Sequence, residues 1–299
     1  MTTYFLVLAL GFAMHGKAAQ TGAPSSQEKK LSCSTFPVDK SFGKKKLWEG
    51  YEVSVGPTAH FDDDSGADGA CAAAIYDQSG KEVYRTTGPS VKLDPATGMD
   101  VDGDGAPDVV LMNGSSGGSG GSWEIEVVSL KPHPHLLFKF EQEFPPADFR
   151  KDSQGKAVLW SGWGGNSSLG YSMAHANDPS ARIVYRFTDG KLKDVTPEFC
   201  SEIENDKHFQ KPTEASLEHF KNSTIDSGEF ESLDDEGTAG RLMSLILHYM
   251  LCRRFDNALN VIHQMWPKQD QVNLIKKLKE EMSNNQDCAE CAKAIERWR

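Results

Sequence analysis

Between residues 47 and 195 the apolar positions fall into short runs, several of them alternating with polar ones. That period of two puts one side chain inward and the next outward on a strand. The runs occupy residues 47–55, 71–76, 81–84, 109–112, 123–128, 135–140, 156–160, 182–187 and 191–195. Asp77-Gln78-Ser79-Gly80 between the second and third reads as a hairpin loop. Asp189-Gly190 between the last two is a link that favours a type I′ turn. Strands so closely spaced predict an antiparallel β domain, a meander or sandwich, with a partial propeller of roughly two or three blade-like sheets as a variant.

Near Cys200 the pattern changes to a helical one and glycine becomes rare. Residues 201–220 are polar with scattered apolar positions, and residues 222–237 are acidic and loop-like. Residues 240–254 place Leu242, Leu245, Ile246 and Tyr249 on one helical face. Asp256 is the expected cap of a helix over 257–266 that Pro267 ends. Val272, Ile275 and Leu278 mark another helix over 269–282, and a last one is expected over 287–298. The expected fold class is therefore α+β, with a β domain over residues 33–200 and a helical domain over 201–299.

Composition narrows the class. A chain of 299 residues allows two domains, and 38% hydrophobic with 25% charged residues suits a soluble globular protein. A net charge of -11 argues against a nucleic-acid partner, since phosphate binding needs a basic footprint. Residues 4–14 are apolar but too short to span a bilayer, and Gly16, Ala18 and Ala19 follow. This reads as a signal peptide over 1–19 and a mobile lead-in over 20–32. The mature chain would then be secreted or periplasmic, with no transmembrane span. No Lys or Arg precedes the apolar run, which leaves an uncleaved anchor as the alternative. In an exported chain Cys33, Cys71, Cys200, Cys252, Cys288 and Cys291 are disulfide candidates. Cys288 and Cys291 have Cys-x-x-Cys spacing, but no strand precedes them and no second ligand pair is near. Bridges from them to Cys200 and Cys252 are expected instead.

The densest chemistry is in residues 100–108, DVDGDGAPD. Asp100, Asp102, Asp104 and Asp108 repel one another unless a cation lies among them. Hard oxygen ligands in that number suit Ca²⁺, which takes about six to eight oxygens in flexible geometry. Gly105 falls where such a loop turns sharply, and the Ala106 carbonyl is the natural non-carboxylate ligand. An EF-hand fails the spacing test, because its twelfth position here is Leu111 and a strand follows. The spacing resembles the Asp-x-Asp-Gly-Asp-Gly-x-x-Asp calcium loop of FG-GAP/VCBS repeats, found in integrin-type propeller blades. The resemblance implies that Asp108 closes the site before a strand. Residues 242–267 resemble one tetratricopeptide-type helical hairpin, with Tyr249, Ala258 and Ile262 at the aromatic, small and large apolar places.

Other motifs carry less. Residues 117–121 match Gly-x-Ser-x-Gly, but Ser119 leads into a strand, not into the helix that a nucleophile elbow needs. The acidic stretch 61–69 lacks the ligand spacing and reads as a solvated loop. His133 and His135 would share a strand face without completing a metal site, and His175, His208, His219, His248 and His263 stand singly. Trp160 and Trp163, near a Gly-rich turn and Tyr171, read as buried rings and not as a sugar platform. The expected function is an exported, non-catalytic calcium-binding protein whose helical domain contacts a protein partner. An exported hydrolase with a structural Ca²⁺ site is the alternative.

Overall fold

The computed structural model describes residues 31–35, 38–39, 41–58, 71–114, 123–142, 147–163, 181–206, 209, 211–222, 237–284 and 288–298. The expected signal peptide, the acidic stretch 61–69, Ser119, Tyr171, His175, His208 and residues 223–236 lie outside these.

The β part is three antiparallel sheets, each containing four consecutive strands in chain order. The first holds β3 (Gly43–Lys46), β4 (Glu52–Pro57), β5 (Cys71–Tyr76) and β6 (Glu82–Gly88). The middle sheet holds β7 (Ser90–Leu93), β8 (Val109–Gly114), β9 (Trp123–Ser129) and β10 (His135–Gln142), extended beyond β7 by β1 (Ser32–Thr35) and β2 (Val38–Asp39). The third holds β11 (Asp148–Lys151), β12 (Ala157–Gly162), β13 (Arg182–Thr188) and β14 (Lys191–Asp194). The meander expectation holds, and it holds as stacked meanders.

Stacking explains why some strands do not alternate. In β8, Val109 and Leu111 pack toward Val53, Val55, Ala73 and Ile75 of the first sheet. Val110 and Met112 pack instead into the cluster containing Leu159, Ile183 and Tyr185 of the third. A strand covered on both faces must be apolar throughout. Burying a side chain the size of Leu111 contributes about 2 kcal/mol. Ring contacts Phe138–Phe187 and Phe140–Tyr185, both at 5.3 Å between centroids, join middle and third sheets directly. Cys33–Cys71 ties β1 to β5 and so pins the middle sheet to the first.

Two hairpins repeat one turn. In residues 77–81 and 152–156 the leading Asp accepts from the backbone N–H groups two and four residues on, at 2.8–3.0 Å. The Asp189-Gly190 link has both residues at positive φ (54° and 77°), the conformation a type I′ turn requires. The expected strand over 47–55 is broken. Residues 48–50 form a 3-10 turn with Glu49 and Gly50 at positive φ, and the lysine-bearing β3 supplies the sheet edge instead. Lysines suit an edge, since they oppose pairing with another chain.

The helical part comprises α1 (Cys200–Asn205), α2 (Glu214–Lys221), α3 (Thr238–Leu251), α4 (Phe255–Met265), α5 (Gln271–Asn284) and α6 (Ala289–Ile295). Leu242, Leu245, Ile246, Ala258 and Ile262 join the same buried cluster as the third sheet. Two sequence expectations need correction. Asp256 lies in the first turn of α4, where the helix dipole favours it, and Arg254 is the capping residue. Val272 is 76% exposed, and α5 buries Leu274, Ile275, Leu278 and Met282. The cysteine pairing also differs from expectation. Cys200 bridges Cys252, tying α1 to the end of α3, while Cys288 bridges Cys291 locally. Their Cα separations of 5.9 and 5.2 Å both suit a disulfide, so Cys288 and Cys291 need no distant partner.

Candidate metal centre

The loop between β7 and β8 is closed at its neck. Gly98 N–H donates to the Asp108 carbonyl at 2.9 Å, and Asp108 N–H donates to the Met99 carbonyl at 2.7 Å. Within the loop, the two Asp100 oxygens accept from Gly103 N–H (2.7 Å) and Gly105 N–H (3.0 Å). Both glycines sit near φ +80°, a region in which a side chain would be strained. The sequence thus curls the backbone around its own carboxylates.

One oxygen each from Asp100, Asp102 and Asp108 lies within 4.8 Å of the others, close enough to share one ion. Asp104 stands outside this group, its Oδ1 accepting from Ala106 N–H at 2.6 Å. Ala106 is buried. Asp108 has no exposed surface. Its Oδ2 accepts from Val101 N–H at 2.7 Å, but its Oδ1 is buried with no hydrogen-bond partner. A buried carboxylate oxygen left unpaired is costly. Burial first, then the charges of Asp102 and Asp104, push the Asp108 carboxyl up to about 7. Burial also raises Asp102, with Asp104 and Asp100 adding to the effect. A divalent cation among the three carboxylates would satisfy the orphaned oxygen and cancel the repulsion, so the donor set fits a hard cation.

The loop opens onto a cleft of about 640 Å³ whose far wall is the β11–β12 and β13–β14 turns of the third sheet. Lys151, Gln154, Lys156 and Arg186 line that wall, together with Asp189, which Lys193 pairs. Sequence reasoning missed them. The repeated Asp-x-x-Gly-Lys turn was the available signal, but nothing in it says which loop it faces.

A second polar cluster was also missed. Glu126 is fully buried, and its carboxylate accepts from Tyr84 Oη (2.7 Å), Thr86 Oγ1 (2.8 Å) and Lys139 Nζ (2.7 Å). Burial opposes its ionisation, yet the bonds from Lys139, Tyr84, Glu124 and Thr86 prevail and hold the carboxyl below its ordinary value. Both carboxylate oxygens are bonded, so the cluster works as a clamp between β6 and the middle sheet.

His133 and His135 are both exposed, their rings 6.0 Å apart, and His135 Nδ1 lies 2.9 Å from the His133 carbonyl. His248 is buried against Phe209 and 3.1 Å from Glu204. Trp160 and Trp163 are buried, as expected of core rings.

The chain is thus an α+β protein of three stacked meanders, with an acidic loop facing a basic wall. No protein-family model matches it, and no curated protein matches it in sequence. Among solved structures, it is similar to the crystal structure of PliI-Ah, a periplasmic lysozyme inhibitor of I-type lysozyme from Aeromonas hydrophyla. The two are 15% identical over 36% of this chain and 92% of that one, with a TM-score of 0.25. A score so low has no bearing on the architecture or function of this chain.

Proposed function

We propose that the protein is an exported calcium-binding protein without catalytic function, in which Ca²⁺ held by Asp100, Asp102 and Asp108 stabilises the β domain. The Ala106 carbonyl and Asp104 are the further candidate ligands. The observation that carries this reading is the orphaned Asp108 Oδ1, buried beside two more carboxylates. The ion would supply charge neutralisation only; the chain's residues hold the loop closed and exclude water from Asp108. The bridges Cys33–Cys71, Cys200–Cys252 and Cys288–Cys291 agree with an oxidising compartment, secreted or periplasmic. No described helix is long and apolar enough to cross a membrane. The helical part serves as the protein-contact module in this reading.

Melting EDTA-treated protein against added Ca²⁺ tests it. A ligand that binds only the folded state raises the melting temperature, by about 2.7 kcal/mol of stability at a hundredfold excess over Kd. An unchanged melting temperature at millimolar Ca²⁺ rejects the reading.

A further inference from the structure

The three gathered carboxylates, with the Ala106 carbonyl and Asp104 as further candidates, still leave a position open on a hard cation that takes about six to eight oxygens. Where the remaining positions point follows from the surroundings of the loop. Asp108 fills the buried side, while Asp100 and Asp102 line the cleft between the loop and the third sheet. Gly103 and Gly105 also line it, and a Cβ built on either meets nothing within 4 Å, so the loop is open there. Across the cleft, Lys151 and Lys156 are exposed and have no ion-pair partner among the described residues. Arg186 beside them is neutralised by Asp152 and Glu198 at 3.1 and 2.9 Å. Two lysines without an ion-pair partner among the described residues therefore line the cleft across from Asp100 and Asp102.

Resting on the calcium reading, we infer that the cleft is a ligand site, in which one oxyanion completes the coordination of the loop-bound cation and is held from the other side by Lys151 and Lys156. The ligand carries a carboxylate or phosphate monoanion on a small molecule or a single side chain. A polyanion is disfavoured, because a chain with net charge -11 repels it at long range. Thr188 and Gln154, also on the wall, supply hydrogen-bonding groups for the neighbouring part of such a ligand.

Terbium(III), a luminescent stand-in for Ca²⁺, tests this on the full chain, since its lifetimes in H₂O and D₂O count the waters on the bound ion. The probes are N-acetylglycinate and dimethyl phosphate, so the two arms tell a carboxylate source from a phosphate source. The expected result is a hydrated bound ion that loses water as one of the probes is added. In Lys151→Ala/Lys156→Ala the ion still binds, but about tenfold more probe is needed for the same loss. A bound ion that carries no water, or keeps its water at saturating probe, or loses it equally well in the double variant, overturns the ligand site and leaves the calcium reading standing. Failure of terbium and Ca²⁺ to bind at all removes both.

Discussion

Asp108→Asn separates a cation site from an ordinary buried acceptor, because only at a cation site does added Ca²⁺ reverse its effect. In the empty loop, burial raises the Asp108 carboxyl from 3.8 to about 7. At about 1.4 kcal/mol per tenfold change in proton affinity, ionising it costs the folded state about 4 kcal/mol once the pH is above 7. The sign follows from proton counting: a carboxyl raised in the folded state is released first by the unfolded chain. Stability in EDTA therefore falls as pH rises from about 4 to about 7 and then levels off. The asparagine variant has no charge to bury. One amide end can still accept from Val101 N–H while the other donates toward Asp100 and Asp102. In EDTA at pH 7.5 it should melt above the parent, by a shift on the order of 8 °C at about 2 °C per kcal/mol. With millimolar Ca²⁺ the order should reverse, since the parent gains the ion and the variant has lost a ligand. Scanning calorimetry in both buffers, repeated at pH 5, measures all of it. A variant that melts below the parent in EDTA would refute the burial cost, and Ca²⁺ moving neither protein would show that no ion is involved.

Glu126→Leu should lower urea-derived stability by about 3 kcal/mol, since it strands the Tyr84 and Thr86 hydroxyls and releases Lys139; a loss under about 0.5 kcal/mol would mean that the clamp is dispensable. Replacing Cys200 and Cys252 by Ala opens a loop of 52 residues and should cost up to about 4 kcal/mol, read as selective loss of amide-exchange protection in α1 and α3. His248 is held below its ordinary value by burial, against the opposing pull of Glu204. Its unfolded form takes up a proton first as pH falls through about 6.5, so stability drops below that pH. His248→Gln should flatten the slope between pH 6.5 and pH 5 (roughly the imidazole window) in urea titrations.

What the sequence revealed of this protein follows from how far apart the determining residues lie. The acidic loop was legible because its ligands, its two turning glycines and its closing strand fit within residues 98–112, where spacing stands in for geometry. The Asp189-Gly190 hairpin was legible for the same reason. Trp123-Glu-Ile-Glu-Val-Val was legible as a strand, but alternation alone does not say that the face carrying Glu126 is covered. Here β6 covers that face, bringing Tyr84 and Thr86 from about forty residues away, and the glutamate is the most deeply paired charge described. Val272 misled, since a helical face is buried only where a neighbour covers it. The cleft wall is another long-range product: Lys151 and Lys156 come opposite the loop only through stacking of the third sheet on the middle one. The same sheet contact that fills the core with Val110, Leu159 and Ile183 thus creates the cleft at its rim, so a change that loosens this packing should disturb cleft and core together.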